Sequence, residues 1–353
     1  MQKISLLIVA SFFLMACPSE KIDPNIYEKD YGEGIYALTS NGVNYFDPKE
    51  SELKENILSN VNGISLSDAS SLKTINDDIY IVSKNTIYRV DAESFSLEME
   101  INGFVDARKC EYAKFDRLYV SDKGESEIKV VDINRQDVIA HIKTGDNVNP
   151  TDIVLSWERA FVANSGGEES SDYDSTIVAI QLRDGIVPLN NFAGNILVDK
   201  NPVSLIHNGN IVVLCKGVYD EIDPTNNIES SVCLVGAGSL NLQSSTTLNS
   251  VYNANNLILN YSETKYYITS SSGVYYLSAS SLNKILVTDK KIPTVLELNR
   301  ESFANTDTTF LIVDFLYMND ENKKDYIYKY NVYLNQFVDS FQVDSDVIDL
   351  EVY

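Results

Sequence analysis

Four polar segments carry most of the side chains that could bind or transform a small molecule. They cover residues 122–127, 165–175, 217–230 and 315–325, each between short runs rich in Val, Ile, Tyr and Phe. Aromatic rings next to carboxylates and amides suit a large polar ligand with apolar edges. We predict a ligand-binding surface that includes Asp122, Lys123, Ser165, Tyr173, Tyr219, Asp220, Phe315 and Tyr317. Segments that precede short apolar runs are expected to add Arg108, Asn149, Asn201 and Tyr252.

The same segments predict no catalytic residue. The chain has two histidines, His141 in a predicted outer strand and His207 in a predicted turn away from the polar segments. A site in which histidine activates a nucleophile is therefore disfavoured, and no Gly-x-Ser-x-Gly, His-Glu-x-x-His or phosphate-binding glycine motif occurs. Carboxylate pairs could act without histidine, so a lyase or hydrolase is an alternative. These pairs are Asp220 with Asp223 and Asp172 with Asp174.

Oxygen ligands for a hard cation such as calcium are clustered in two places. The segments are DEIDPTNN at 220–227 and MNDENKKD at 318–325, and hard cations prefer such oxygen-rich sites. Neither segment has the spacing of an EF-hand loop. No metal site is therefore predicted, and calcium stays an alternative.

The cysteines do not indicate a disulfide-stabilised fold. Beyond Cys17 the chain has Cys110, Cys215 and Cys233, and three thiols cannot all pair within one chain. Because Cys215 and Cys233 lie on consecutive predicted strands, a disulfide between them and two separate buried thiols are both open. The sequence assigns no role to Cys110.

The N-terminal sequence MQKISLLIVASFFLMAC has a short basic start followed by an apolar run. The run is too short for a comfortable membrane span and polar sequence follows, which is typical of an export signal. Its end, Leu14-Met15-Ala16-Cys17, resembles the lipobox of bacterial lipoproteins, which implies lipidation of Cys17 and a membrane anchor. We predict a signal peptide at 1–16, a lipidated tether at 17–33 and a folded domain at 34–353.

The charge balance excludes nucleic acid as a partner. The chain has 51 Asp and Glu against 28 Lys and Arg, a net charge of −23. Binding to nucleic acid depends on cations that neutralise phosphates, and a body of this charge is repelled by them.

One phrase recurs along the chain and indicates how the polar segments are positioned. RLYVSDKGESEIKVVDI from Arg117 has counterparts from Gly34 to Thr308, seven copies about 40–55 residues apart. Each copy has the signals of four short strands, which predicts an all-β, seven-bladed β-propeller rather than a two-sheet sandwich. The first copy lacks an inner strand and the chain ends on VIDLEVY. We therefore predict that the C-terminal strand completes the first blade.

The segments RLYVSDKGESEIKVVDI and RAFVANSGG, with TIVAI after the latter, are similar to the YVTN-type, YncE-like propeller repeats. The spacers GDNVNPTDIV and VDKNPVSLI resemble the linkers of that family. Together with the lipobox, the chain resembles propeller lipoproteins of bacterial outer membranes, including the BtuG-like ones. That resemblance implies a lipid-anchored protein at the outer membrane that captures a corrinoid such as cobalamin, or a similarly bulky cofactor, and passes it to an outer-membrane transporter.

In a four-stranded blade, the loops after the second and fourth strands emerge on one face of the propeller. The twelve predicted binding residues are therefore expected on one shared rim, where long loops on a rigid scaffold commonly bind ligands. Capture of a bulky small molecule at this rim is the first hypothesis for the function. A non-catalytic scaffold for another envelope protein and a carboxylate-dependent enzyme are the alternatives.

Overall fold

The protein is described by a computed structural model that covers residues 30–146, 148–167, 169–184, 187–306 and 309–353. In these residues 28 strands form seven antiparallel sheets of four strands each, arranged as the blades of a β-propeller. The predicted fold class is therefore confirmed. The predicted signal peptide, Cys17 and most of the predicted tether lie outside the described residues.

The strands are named in chain order, and each blade is given from the channel outward. Blade 1 consists of β28 (Val347–Val352), β1 (Ile35–Thr39), β2 (Val43–Asp47) and β3 (Glu52–Lys54). Blade 2 consists of β4 (Ala69–Ile75), β5 (Asp78–Ser83), β6 (Thr86–Asp91) and β7 (Leu97–Asn102). Blade 3 consists of β8 (Ala107–Ala113), β9 (Arg117–Asp122), β10 (Glu127–Asp132) and β11 (Asp137–Lys143). Blade 4 consists of β12 (Pro150–Ser156), β13 (Arg159–Gly166), β14 (Tyr173–Asp184) and β15 (Val187–Leu197).

The remaining blades follow the same pattern. Blade 5 consists of β16 (Pro202–Asn208), β17 (Asn210–Cys215), β18 (Ser231–Val235) and β19 (Leu242–Thr247). Blade 6 consists of β20 (Asn255–Leu259), β21 (Lys265–Ser270), β22 (Gly273–Ser278) and β23 (Lys284–Thr288). Blade 7 consists of β24 (Leu296–Thr306), β25 (Thr309–Asp320), β26 (Lys323–Asn331) and β27 (Gln336–Gln342).

The strands of one blade differ in burial because they meet different neighbours. In blade 3 every residue of β10 is buried, whereas β11 alternates between exposed and partly buried residues. The middle strands are covered on both faces by adjacent blades, so even the charged residues Glu127, Lys129 and Asp132 of β10 are buried. An outer strand has one face in water and follows the alternating pattern of a half-exposed strand.

The ring closes where the two ends of the folded chain meet. β28 pairs with β1 in antiparallel register, with Ile35 opposite Val352. The backbones of Gly34 and Tyr353 exchange hydrogen bonds of 3.2 and 3.1 Å. The Asp344 carboxylate also accepts a hydrogen bond of 2.7 Å from the Asn44 amide. The prediction that the C-terminal strand completes the first blade is confirmed, and closure removes two free sheet edges.

The connections divide the propeller into two faces. The long-loop face carries the loops between second and third strands, such as 216–230, and the linkers between blades. The short-loop face carries the other turns, and the junction of Gly34 with Tyr353 lies there because it joins the end of an inner strand to the start of a second strand. The linker between blades 1 and 2 contains α1 (Ile57–Asn62), which ends at Gly63 with φ of 70°. In the described part of the chain, no helix is long and apolar enough to cross a membrane.

The structure does not contain the disulfide that the sequence left open. Cys215 lies opposite Ser231, and Cys233 lies opposite Val213, so the two thiols are diagonal neighbours on β17 and β18. Diagonal partners are about 7–8 Å apart, whereas a disulfide needs Cα atoms within about 7 Å. Both cysteines are buried free thiols, as is Cys110. A hydrogen bond to Cys233, together with burial, raises the pKa of the Cys215 thiol.

Candidate functional site

The seven inner strands enclose a central channel that opens on the long-loop face. The channel mouth is a cavity of about 460 Å³, and the channel floor is a second cavity of about 490 Å³ below it. Lys109, Asp152 and Asp349 line both cavities. The mouth also includes Arg108, Lys123, Ser165, Tyr173, Asn201 and Lys216, and the floor also includes Lys73, Glu111, His207, Glu297 and Glu351.

The mouth brings together five of the twelve predicted binding residues. They are Arg108, Lys123, Ser165, Tyr173 and Asn201. Arg108 follows the linker into blade 3, and Lys123 follows the second strand of the same blade. Asn201 precedes the inner strand of blade 5 and has a φ of 59°, a conformation that Asn tolerates well. Linkers and second strands end on the same face, so residues far apart in sequence meet around one opening.

Four more predicted residues lie on the long-loop face but outside the mouth. The Tyr219 and Tyr252 rings are 6.0 Å apart at an angle of 38°. The Asp220 carboxylate accepts hydrogen bonds of 2.9 Å from the backbone N–H groups of Ile222 and Asp223. The Asn149 amide donates a hydrogen bond to the Gly166 carbonyl. These contacts give Asp220 and Asn149 a role in shaping loops.

The prediction of a long loop at 315–325 is wrong. β25 continues to Asp320 and β26 begins at Lys323, so the connection is a tight turn. Phe315 and Tyr317 lie within β25 and are buried in the core between blades 7 and 1. The Tyr317 hydroxyl donates to the Glu301 carboxylate over 3.1 Å. Polar residues at 319–325 resemble a loop in the sequence, but here they form the end of a β-hairpin.

Asp122 is buried and belongs to the framework of blade 3. Its carboxylate lies 2.8 Å from the Lys129 ammonium and accepts hydrogen bonds of 2.9 Å from the N–H groups of Val105 and Asp106. Burial alone would raise the pKa of Asp122, but Lys129 and these N–H groups hold that pKa below its ordinary value. The carboxylate therefore fixes the linker into blade 3, and its prediction as a rim ligand is wrong.

Two lysines that the sequence did not single out line the mouth. Lys109 follows Arg108 on β8, and Lys216 follows the last residue of β17. The charge of Asp349 raises the pKa of Lys109, whereas loss of hydration lowers the pKa of Lys216. A signal for Lys109 exists in the sequence, because side chains alternate along an inner strand and every second one points into the channel.

Acidic side chains predominate on the floor of the channel, whereas basic side chains predominate at its mouth. Five carboxylates line the floor together with Lys73 and Lys109, and Lys73 Nζ contacts Glu111 at 3.1 Å. Burial and the neighbouring charge of Glu351 raise the pKa of Glu297 to about 8. Burial also raises the pKa values of Glu111, Asp349 and Glu351. Glu297 is therefore largely protonated at neutral pH, which relieves repulsion among the buried carboxylates.

We expect Glu297→Gln to change the pH dependence of stability. Since the pKa of Glu297 rises from 4.5 to about 8 on folding, the unfolded chain releases this proton at lower pH. The free energy of unfolding of the wild type should therefore fall as pH rises from about 4.5 to 8. The Gln variant cannot ionise, so urea titrations at several pH values should show it gaining stability relative to the wild type across this window.

The shift in the pKa of Glu297 depends on its charged neighbours, so an exposed glutamate without such neighbours supplies the control. Glu351 and Asp349 repel the charge of Glu297, and Lys73 attracts it. Glu50→Gln changes the same net charge at an exposed position outside the channel. It should leave the pH profile nearly unchanged. A constant difference between Glu297→Gln and the wild type from pH 5 to 8 would contradict the raised pKa.

The described residues place no histidine at the mouth. His141 lies on the outer strand of blade 3 and contacts Glu127 at 2.6 Å. His207 lies in the inner strand of blade 5, toward the short-loop face, and its Nε2 is 3.0 Å from the Ser156 hydroxyl. His207 lies in a strand and not in the predicted turn, but it is on the predicted side of the propeller, away from the long loops. The Ser156 side chain is buried at 3% exposure, which leaves a substrate little access to its oxygen.

The carboxylates that the sequence offered for acid–base or calcium chemistry bind protein groups instead. Asp174 accepts a hydrogen bond of 2.8 Å from Thr176, and Asp223 accepts one of 2.6 Å from Thr225. Asp320 pairs with Lys291 at 2.9 Å. Within the described ranges, no group of three or more His, Cys, Asp or Glu side chains has an arrangement that could hold a metal ion.

Solved propeller structures resemble this chain at low sequence identity. A "putative 6-phosphogluconolactonase" of Bacteroides fragilis has a TM-score of 0.64 and 12% identity, covering 93% of this chain and 99% of that chain. A quinonprotein alcohol dehydrogenase-like protein of Bacteroides thetaiotaomicron has a TM-score of 0.60 and 13% identity, covering 91% of this chain and 76% of that chain.

The similarity extends to a third protein of different activity. Hydrazine synthase of Kuenenia stuttgartiensis has a TM-score of 0.58 and 16% identity, covering 80% of this chain and 89% of that chain. No protein-family model and no curated protein sequence matches the chain. At these identities the likenesses show the fold alone. The chain is a seven-bladed β-propeller, and the fold supports many unrelated functions.

Proposed function

We propose that the protein is a non-catalytic, lipid-anchored binding protein of the bacterial envelope that holds a small molecule at the channel mouth. The observation that carries this proposal is the cavity of about 460 Å³ at the channel mouth on the long-loop face. Its volume falls in the range of about 300–1,000 Å³ that is common for ligand sites. Five of the residues predicted from sequence line it, contributed by blades 3, 4 and 5 and their linkers.

The position of the N-terminus supports capture from outside the membrane. Residues 30–34 lie on the short-loop face, where the Tyr31 ring packs 5.7 Å from Phe95. A lipid on Cys17 would then attach the protein by the face opposite the mouth. The 13 residues from 17 to 29 can span at most about 45 Å when extended. In this orientation the mouth opens away from the membrane, toward arriving ligand, and transfer to an outer-membrane transporter would require the protein to turn on its tether.

The ligand proposed from the family resemblance is a corrinoid or a similarly bulky cofactor. The structure weakens the aromatic part of that argument, because Phe315 and Tyr317 are buried and Tyr173 is the aromatic residue that lines the mouth. A corrinoid therefore remains one member of a panel to be tested. The alternative hypothesis, a non-catalytic scaffold for another envelope protein, requires no small molecule at the mouth.

We expect one compound of a cofactor panel to stabilise the protein against heat. The panel contains corrinoids, haems and sugar phosphates with their neutral sugars, and binding is measured by thermal shift and calorimetry. At a hundredfold excess over the Kd, a ligand adds about 2.7 kcal/mol to the free energy of unfolding. Thr151 lines the mouth, so Thr151→Trp should fill the cavity and abolish the shift.

Tyr333→Trp is the matched control, because Tyr333 lies 77% exposed in a turn of the short-loop face. It should bind like the wild type. Binding that survives Thr151→Trp would remove the mouth as the site. If no panel compound binds and the immobilised protein retains an envelope protein instead, the scaffold hypothesis replaces the proposal.

A further inference from the structure

We infer that the ligand of the channel mouth is an anion that carries a phosphoryl group, held by Arg108, Lys109 and Lys216. This inference rests on the proposed function, because it names the chemical class of the ligand for the same cavity. It derives from the distribution of charge in the channel and from the partners of the three cations.

The charge at the mouth is opposite to that of the whole protein. The chain has a net charge of −23, yet four cations line the mouth against the two carboxylates of Asp152 and Asp349. The cations come from blades 3 and 5 and are Arg108, Lys109, Lys123 and Lys216. The cations attract anions to the mouth, whereas the acidic remainder of the protein surface repels them.

The two carboxylates at the mouth are engaged by backbone groups. Asp152 Oδ2 accepts a hydrogen bond of 2.8 Å from the Leu205 N–H, which joins blade 4 to blade 5. Asp349 Oδ2 accepts one of 3.0 Å from the Leu72 N–H, which joins blade 1 to blade 2. Both carboxylates hold neighbouring inner strands together. The charge of Asp349 nevertheless raises the pKa of Lys109, whereas burial alone shifts the pKa of Lys216.

Arg108 and Lys216 are each incompletely paired within the described residues. Arg108 Nη2 binds Asp106 at 2.6 Å, whereas its Nε–H is buried and without a hydrogen-bond partner in the described part of the chain. Burial lowers the pKa of Lys216, and no carboxylate offsets that effect. A buried donor and a dehydrated ammonium without a counterion are costly when left unpaired. An oxyanion bound in the cavity would remove the cost at Lys216.

A phosphoryl group fits this donor set better than a single carboxylate. A phosphate monoester presents three terminal oxygens and a charge near −2, and Arg forks and Lys ammonium groups both bind such oxygens. The acidic lining of the floor gives an anion less favourable contacts deeper in the channel than the cations give it at the mouth. The remainder of the ligand would then point outward, past Tyr173 and Asn201.

The test compares glucose 6-phosphate, glucose, inorganic phosphate and succinate by calorimetry on the intact protein. We expect glucose 6-phosphate and phosphate to bind, succinate to bind more weakly and glucose to show no binding. Lys216→Met and Lys109→Gln should each weaken phosphate binding about tenfold or more, the usual effect of removing one charge-assisted hydrogen bond. Lys216→Arg should retain most of the affinity.

Lys216→Met also separates binding from folding. Because its pKa is lowered by burial, the neutral side chain should leave the Tm without ligand unchanged or higher. Arg135→Gln removes an equal charge on the short-loop face, where the Arg135 side chain is 76% exposed, and it should leave binding unchanged.

Three outcomes would overturn the inference. In the first, glucose or another neutral compound binds at a site that Thr151→Trp blocks; the proposed function then survives without an anionic ligand. In the second, Arg135→Gln weakens phosphate binding as much as Lys216→Met, which would indicate a nonspecific charge effect. In the third, neither phosphate nor glucose 6-phosphate binds at millimolar concentration.

Discussion

Deletion of residues 347–353 is expected to abolish folding of the propeller. The deletion removes β28, the inner strand of blade 1, and leaves the buried β1 residues Ile35–Leu38 without their partner strand. It also removes the carboxylates that accept the N–H groups of Leu72 and Thr74 in blade 2. Without β28 the first blade has three strands and the inner edge of β1 is unpaired. Circular dichroism and analytical gel filtration should show an aggregated or unfolded chain.

A single substitution in β28 measures how much the packing of this strand contributes to stability without removing the strand. Leu350 is 2% exposed and packs in the core between blades 7 and 1. Leu350→Ala should lower the free energy of unfolding by about 2–5 kcal/mol, the usual loss for a leucine in a close-packed core. Tyr333→Ala, in an exposed turn, should change it by less than about 0.5 kcal/mol. A loss below about 1 kcal/mol for Leu350→Ala would contradict close packing of β28 in the core between blades 7 and 1.

Lys129→Met is expected to be the most destabilising single change outside the apolar core. The Lys129 side chain is 2% exposed, lies 2.8 Å from Asp122 and donates a hydrogen bond of 2.8 Å to the Gly103 carbonyl. Removing the ammonium leaves the fully buried Asp122 carboxylate without its counterion. Breaking a buried ion pair in this way costs about 3–5 kcal/mol. Urea unfolding monitored by fluorescence should report a loss in that range.

The double variant Lys129→Met/Asp122→Asn separates the charge from the packing. Once both charges are gone, part of the lost stability should return, and the double-mutant cycle gives the coupling energy of the pair. Lys143→Met is the exposed control: its side chain is 68% exposed and pairs with Glu127 at 3.0 Å. It should cost about 1 kcal/mol or less. Equal losses for Lys129→Met and Lys143→Met would indicate that water reaches Asp122.

Local signals were sufficient to predict the fold. The alternation of apolar and polar residues, together with turn residues such as those around Gly124 and Asn134, predicts each strand from its own sequence. The count of repeats and the surplus strand VIDLEVY predicted seven blades and their closure. The wrong loop at 315–325 arose where local signals conflict, because the strong strand formers of β25 run directly into a polar hairpin.

The site was predicted in part. The shared face was correct, because strand connectivity alone determines which loops lie together. The sequence does not show which rim residues turn inward, so Asp122 was placed on the rim although Lys129 holds it in the core. Lys216 was missed for the same reason. Its place at the mouth depends on the register of blade 5 and on how blade 5 lies relative to blade 3 around the channel.

The amino-acid sequence by itself determined the class of fold, the number of blades and the strand that closes the ring. These features depend on periodicity and turn residues, which act over a few residues. The tertiary structure alone decided which charges meet. It placed four cations at the channel mouth, five carboxylates on the floor and two buried free thiols at diagonal positions of blade 5. These arrangements depend on how blades that are far apart in the sequence pack around the channel. No local sequence pattern specifies that packing.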